Sequence, residues 1–141
     1  MTDPLLSLYD MAYHYDALSV LGIKAQRATD RTAVHASIER FDRTLRAVVG
    51  AAKHDVILMS REYARMVEVN TWLFDSFEWL HTKGFAAPAE QVKAHALKQD
   101  LANGLDRPAA KRALQERWFG TELTEQKVGY GTLQGVLAAS T

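Results

Sequence analysis

Apolar residues between positions 31 and 83 recur with unusual regularity. Ile38, Leu45, Ala52, Met59, Met66, Leu73 and Leu80 stand seven apart without interruption, the repeat of one helix face. A companion row, Val34, Phe41 and Val48, becomes Val56, Tyr63, Asn70 and Phe77 in the second half. The apolar face therefore rotates by about one residue near Gly50. Two arrangements satisfy this pattern. One is a single helix of about 50 residues, about 75 Å long at 1.5 Å per residue. The other is a pair of helices, broken between Gly50 and Ser60 and folded back as an αα-hairpin. The break is the preferred reading, because helices are short on average and Ser60 can cap the second one.

The flanks also read as helix. Residues 4–28 carry apolar side chains almost all round: Leu5, Leu6, Leu8, Tyr9, Met11, Tyr13, Leu18, Val20, Leu21 and Ile23. A helix of that kind is covered on more than one side. Residues 88–102 form a polar helix that the Asn103-Gly104 pair should stop. Residues 107–119 form another, introduced by Asp106-Arg107-Pro108 and ended by Gly120. Short helices are expected over 121–128 and 132–139, separated by the Gly129-Tyr130-Gly131 interruption. Strand signals are scarce, Asp55 to Leu58 being the best. The predicted fold is all-α: a compact bundle of five to six helices, built around a long hairpin (or one long helix) at 31–83. Residues 1–141 are read as a single domain, with 121–141 a loosely packed tail.

Composition narrows the function classes. Lysine plus arginine and aspartate plus glutamate both number 17, so the formal net charge is zero. That balance argues against a strongly basic nucleic-acid binder. No apolar run approaches the roughly 20 residues of a membrane span, and the first residues lack the basic start of a secretory signal. Cysteine is absent, which excludes disulfides, thiolate metal sites and cysteine nucleophiles. A cytoplasmic protein is expected, with no membrane association and no cofactor.

Several residue groups are tested against known chemistries. Glu78-x-x-His81 has the spacing of half a di-iron site, but a ferritin-like centre needs two such pairs and two further glutamates. Glu78 falls on an acidic stripe with Glu68 and Asp75, and His81 sits near a helix end, where the dipole suits it. His14, His35, His54 and His95 show no ligand spacing within one helix. If a metal were bound, His14, His35, His54, Glu78 and His81 would be the candidates, converging from different helices. His54-Asp55, set in the apolar run Ala51 to Leu58, resembles the metal-binding His-Asp pair of HD-domain phosphohydrolases, an all-helical family. The resemblance covers one dipeptide. It would imply an upstream histidine, His35 or His14, and a downstream aspartate, Asp100. The alternative is a helix terminus capped by Asp55.

Gly129 to Gly135 has glycine spacing reminiscent of a phosphate loop but no preceding strand. The same stretch makes a poor helix-turn-helix, because the reading helix lacks basic side chains. Tyr9, Tyr13 and Tyr15 surround His14 and Asp16, a group with acid–base potential, although tyrosine serves more often as a core residue with a wet tip. No hydrolase elbow, Walker loop or H-E-x-x-H motif occurs.

What remains is surface. Arg40, Arg43 and Arg46 line one polar face, and residues 27–65 are basic in balance. Residues 66–82 carry only Glu68, Asp75 and Glu78 as charges. These segments can pair within one chain or between two copies. Trp72 and Trp79 lie off the main seam with Phe74 and Phe77. This second apolar strip needs a cover, either the first helix or another chain. Asn70 inside the seam is an amide that can fix register. The expected function is therefore non-enzymatic: a small adaptor, regulator or inhibitor acting through protein–protein contact, as a homo-oligomer or with a protein partner. Trp72, Trp79, Phe74 and Phe77 are the expected anchors, with Arg40, Arg43 and Arg46 supplying charge. The alternatives are a metal-dependent helical enzyme and a nucleic-acid accessory protein using the arginine row.

Overall fold

The structure, a computed structural model, describes residues 11–120. Among the described residues the chain is all-α: α1 (Met11–Arg27), α2 (Thr32–Val49), α3 (Ala51–Leu58), α4 (Arg61–Thr82), α5 (Ala89–Leu101) and α6 (Arg107–Phe119), with a π-helical turn at Ala102–Asp106. The elements expected at 121–128 and 132–139, and Tyr9 with the first part of the first helix, lie outside the described residues.

The 31–83 block is not one long helix: it is broken between Gly50 and Ser60, as the preferred reading has it, but the break holds a short helix of its own, so the block is three helices. Gly50 adopts φ 98° and ψ 136°, a positive φ that side-chain-bearing residues avoid, and it turns α2 into α3. A second break follows at Met59. There Ser60 caps α4 as the sequence suggested, its Oγ accepting from the Tyr63 N–H at 3.2 Å. Because of the two breaks, the sevenfold row does not share one face. Leu45 and Met66 are fully buried, but Ala52 is exposed and Met59 is 88% exposed at the α3–α4 turn.

The centre of the bundle is α1. Helices α2, α4 and α6 all pack on it, so α2 and α4 are organised around α1 instead of forming a simple hairpin. Met11, Ala12, Tyr15 and Leu18 of α1 meet Leu45, Ile57, Met66, Ala110 and Leu114 in one core. These α1 positions recur every three or four residues, the spacing of a buried helix face. The wide apolar coverage of α1 in the sequence thus has a direct cause: it is packed from three sides.

The expected stop at Asn103-Gly104 does not occur. Residues 89–119 run on as a continuous helical path, and the Arg107 N–H bonds the Ala102 carbonyl five residues back. Pro108 supplies the reason. It has no N–H to donate, and its ring crowds the carbonyl four residues before it. A wide π turn relieves that crowding without ending the helix. The true end is at Gly120, in the left-handed conformation (φ 62°), its N–H bonded to the Glu116 carbonyl.

A polar cluster sits inside this apolar frame. Asp16 on α1 is buried, and its carboxylate accepts from Asn70 Nδ2 at 2.8 Å and from Arg107, whose NH2 lies 3.0 Å from Oδ2. Asn70 Nδ2 also donates to Ser19 Oγ at 2.8 Å, and Ser19 Oγ donates to the Asp16 carbonyl. The seam amide therefore sets the register of α4 on α1. Asn70→Ala removes two donors from a buried carboxylate–hydroxyl pair. It should destabilise the fold by about 1–3 kcal/mol, read as a lowered urea midpoint with unchanged slope. An unchanged midpoint would mean that Arg107 alone satisfies the Asp16 carboxylate.

Candidate functional site

Two polar arrangements and one apolar face are candidates for function. The first arrangement is enclosed. The Tyr15 hydroxyl lies 2.8 Å from His54 Nδ1, and His54 Nε2 lies 2.9 Å from Asp42 Oδ1. Asp42 Oδ2 accepts from Arg46 Nε, and Arg46 NH2 reaches Asp55 Oδ1, both at 2.8 Å. A neutral imidazole that accepts from the phenol and donates to the carboxylate satisfies every member. Tyr15 and His54 are both fully buried. The chain of hydrogen bonds crosses the Gly50 bend and ties α1, α2 and α3 together. It offers no open position to a substrate.

The same arrangement engages the His54-Asp55 pair that resembles the one of HD-domain phosphohydrolases. Both ring nitrogens of His54 are engaged, Asp55 is paired with Arg46, and Asp55 lies within α3 instead of capping its end. His35 is exposed, Asp100 lies on the exposed side of α5, and His14 sits half-buried with its ring 6.3 Å from that of Phe41. Glu78 accepts from Arg27, which also pairs with Asp75 at 2.6 Å, whereas the His81 ring lies 4.4 Å from that of Phe77. Among the described residues no three His, Asp or Glu side chains are gathered to hold a metal ion.

The second arrangement joins α4 to α5. His95 Nε2 lies 2.6 Å from Ser76 Oγ, and the imidazole is flanked by the rings of Trp72 and Trp79, with centroids at 5.9 and 4.6 Å. The cover of the tryptophan strip is therefore α5, not the first helix. The positions 72, 76 and 79 present one face of α4, and a single imidazole fits between the two indoles. A Ser–His pair could suggest a nucleophile, but Ser76 is buried and, among the described residues, no carboxylate bonds the His95 ring.

The third feature is apolar. No residue of α5 is buried. Leu97 and Leu101 are 62% and 50% exposed, and Leu105 in the π turn is 62% exposed. Their four-residue spacing makes one row along the helix. Trp72 of α4 is exposed beside Leu101, and Phe77 is exposed in a separate cleft with Gln99, Asp100 and Asn103, while Phe74 and Trp79 are half-buried. An open cleft of about 400 Å³ separates α4 from α5 on one side, lined by Val69, Trp72, Leu101 and Ala102. Its charged lining is Arg65, Glu68, Lys98 and Asp106. Of the arginine row, Arg40 donates to Ser37 Oγ, Arg43 is exposed, and Arg46 is held by Asp42 and Asp55. The row lies on α2 and takes no part in this face.

Sequence reasoning named Trp72 and Phe77, which are exposed, and did not single out Leu97, Leu101 and Leu105. Only the placement of α5 shows that these leucines face outward. Among the described residues the fold is an all-α bundle that leaves an apolar row on α5 and the π turn exposed. No protein-family model matches the chain, and no curated protein or solved structure is significantly similar to it.

The polar ties predict the pH response of the fold. The hydrogen bond from Arg46, and then that of His54, holds the Asp42 carboxyl below its ordinary value. A depressed carboxyl stabilises the fold above its unfolded pKa, near 4, and that contribution is lost as pH falls through the lower folded value. Asp42→Asn should therefore flatten the acid limb of a plot of urea midpoint against pH. At the other end, burial pushes the Tyr63 phenol up to about 12. Its contribution is full below the unfolded value near 10 and is lost as pH rises through the folded one. Tyrosinate absorbance should appear late in an alkaline titration, and the Tyr63→Phe protein should lose less stability over that range.

Proposed function

We propose that this protein acts by protein–protein contact, not catalysis, and that it is a homo-oligomeric adaptor, regulator or inhibitor. The observation that carries the reading is α5. A helix that buries none of its residues, yet presents a row of leucines beside Trp72, is poorly explained by folding of one chain alone. Contiguous exposed apolar surface of this kind marks interaction sites, and tryptophan is among the residues that anchor them. The enclosure of the Tyr15–His54–Asp42 chain supports the non-enzymatic reading, because those groups are used in holding three helices together. No helix among the described residues is long and apolar enough to cross a membrane. A cytoplasmic location is part of the proposal and rests on the absence of cysteine from the chain.

Native mass spectrometry of the full chain at tens of micromolar tests this reading. The expected result is a dimer or larger assembly. Leu101→Glu should weaken it at least about ten-fold, about 1.4 kcal/mol, with an unchanged helical circular dichroism spectrum because Leu101 is already half exposed. A monomer throughout, or an assembly indifferent to charge at both Leu97 and Leu101, would overturn it.

A further inference from the structure

We propose that the partner on this face is a second copy of the chain, docked so that α5 packs antiparallel on α5 about a two-fold axis beside Leu101. This rests on the self-association reading above and adds the geometry of the contact. The charges beside the leucine row are what select a second copy, and in the antiparallel sense. Leu97 and Leu105 stand four residues before and four residues after Leu101. An antiparallel copy sets Leu97 against the partner's Leu105 and Leu101 against the partner's Leu101. A parallel copy would match the leucines as well, but it would bring Lys98 toward the partner's Lys98 and Asp106 toward the partner's Asp106.

The charges follow the same order. Lys98 lies on the N-terminal side of the row and Asp106 on the C-terminal side, and both line the cleft. Antiparallel docking brings Lys98 toward the partner's Asp106, and the symmetry makes the pairing twice. Arg65 and Glu68 on the α4 wall pair with each other, so Lys98 and Asp106 carry the charge pattern of the face. A surface that carries matched opposite charges about a central apolar row is self-complementary, as a two-fold interface must be. The chain also has zero formal net charge, so two copies approach without long-range repulsion. A row at four-residue spacing is the ridge that most often packs helices in globular proteins, with crossings of about −50°. Contact then concentrates at the middle of the row, which is Leu101, with Trp72 across the cleft.

The absence of cysteine permits a direct test. Single variants Leu101→Cys, Leu97→Cys, Leu105→Cys and, as a remote exposed control, Met59→Cys are mildly oxidised and resolved on a non-reducing gel. The proposal expects Leu101→Cys to form a disulfide-linked dimer rapidly. Leu97→Cys and Leu105→Cys should each cross-link poorly alone but well when mixed, and Met59→Cys should stay monomeric on the gel. Asp106→Lys should weaken assembly several-fold, and Lys98→Asp combined with Asp106→Lys should restore it. If Leu101→Glu dissociates the assembly but Leu97→Cys couples to itself and not to Leu105→Cys, antiparallel docking is overturned and self-association stands. If the wild-type chain is monomeric, both fall. In that case, faster modification of the Leu101→Cys thiol on deleting residues 121–141, or its protection on adding a different protein, would identify the other occupant.

Discussion

A carboxylate taken out of water has to be answered by donors from elsewhere in the chain, and Asp16 imposes that condition on this bundle. It is buried on α1, between α4 and α6, where an unpaired charge would cost several kcal/mol. Asn70 answers from α4 and Arg107 from the start of α6. One anion thus fixes two helices against α1. Since Arg107 immediately follows the π turn, the same contact also determines where α5 leaves the bundle. The exposed face is a downstream result of a buried charge.

The Gly50 bend works alongside it. Positive φ at one residue redirects the chain, and the Asp42, Arg46, His54 and Asp55 side chains fasten the two sides of the bend. His54 then reaches Tyr15 on α1, so the corner is bound to the centre. Both polar clusters are fully paired, and among the described residues no buried side-chain nitrogen or oxygen lacks a hydrogen-bond partner. Polar groups here specify which helix meets which, while the leucines and methionines of the core supply the burial. The exposed leucines of α5 stand outside this economy.

Much of the fold was legible in the sequence because local signals governed it. Ser60 capped a helix and Gly120 ended one, as their chemistry suggests. The sevenfold row misled, because its phase was continuous across two breaks that only backbone conformation at Gly50 and Met59 decides. The Asn103-Gly104 stop misled for another reason: a π turn takes up the crowding from Pro108 and carries the helix on where local preference would end it. At the candidate sites, the right residue types were visible but not their partners. Tyrosine, histidine and aspartate were seen together as Tyr15, His14 and Asp16, yet the real chain is Tyr15, His54 and Asp42. Such links join residues far apart in sequence, and periodicity within one helix carries no information about them.

The π turn at Ala102–Asp106 makes the bundle sensitive to chain length in an unusual way. It accommodates one residue more than an ordinary α-helical turn between α5 and α6. Removing Asn103 would let the helix close normally, and because a π turn absorbs its extra residue within that turn, α5 and α6 would keep their phase. His95 would stay in its slot between the indoles, and the leucine row would stay on its present side. A deletion inside α5 has no such reserve: with α6 anchored by Leu114 and Arg107, everything before it would rotate by about 100°. Whether a single-codon deletion is absorbed or redirects a whole surface is decided by a few residues of chain.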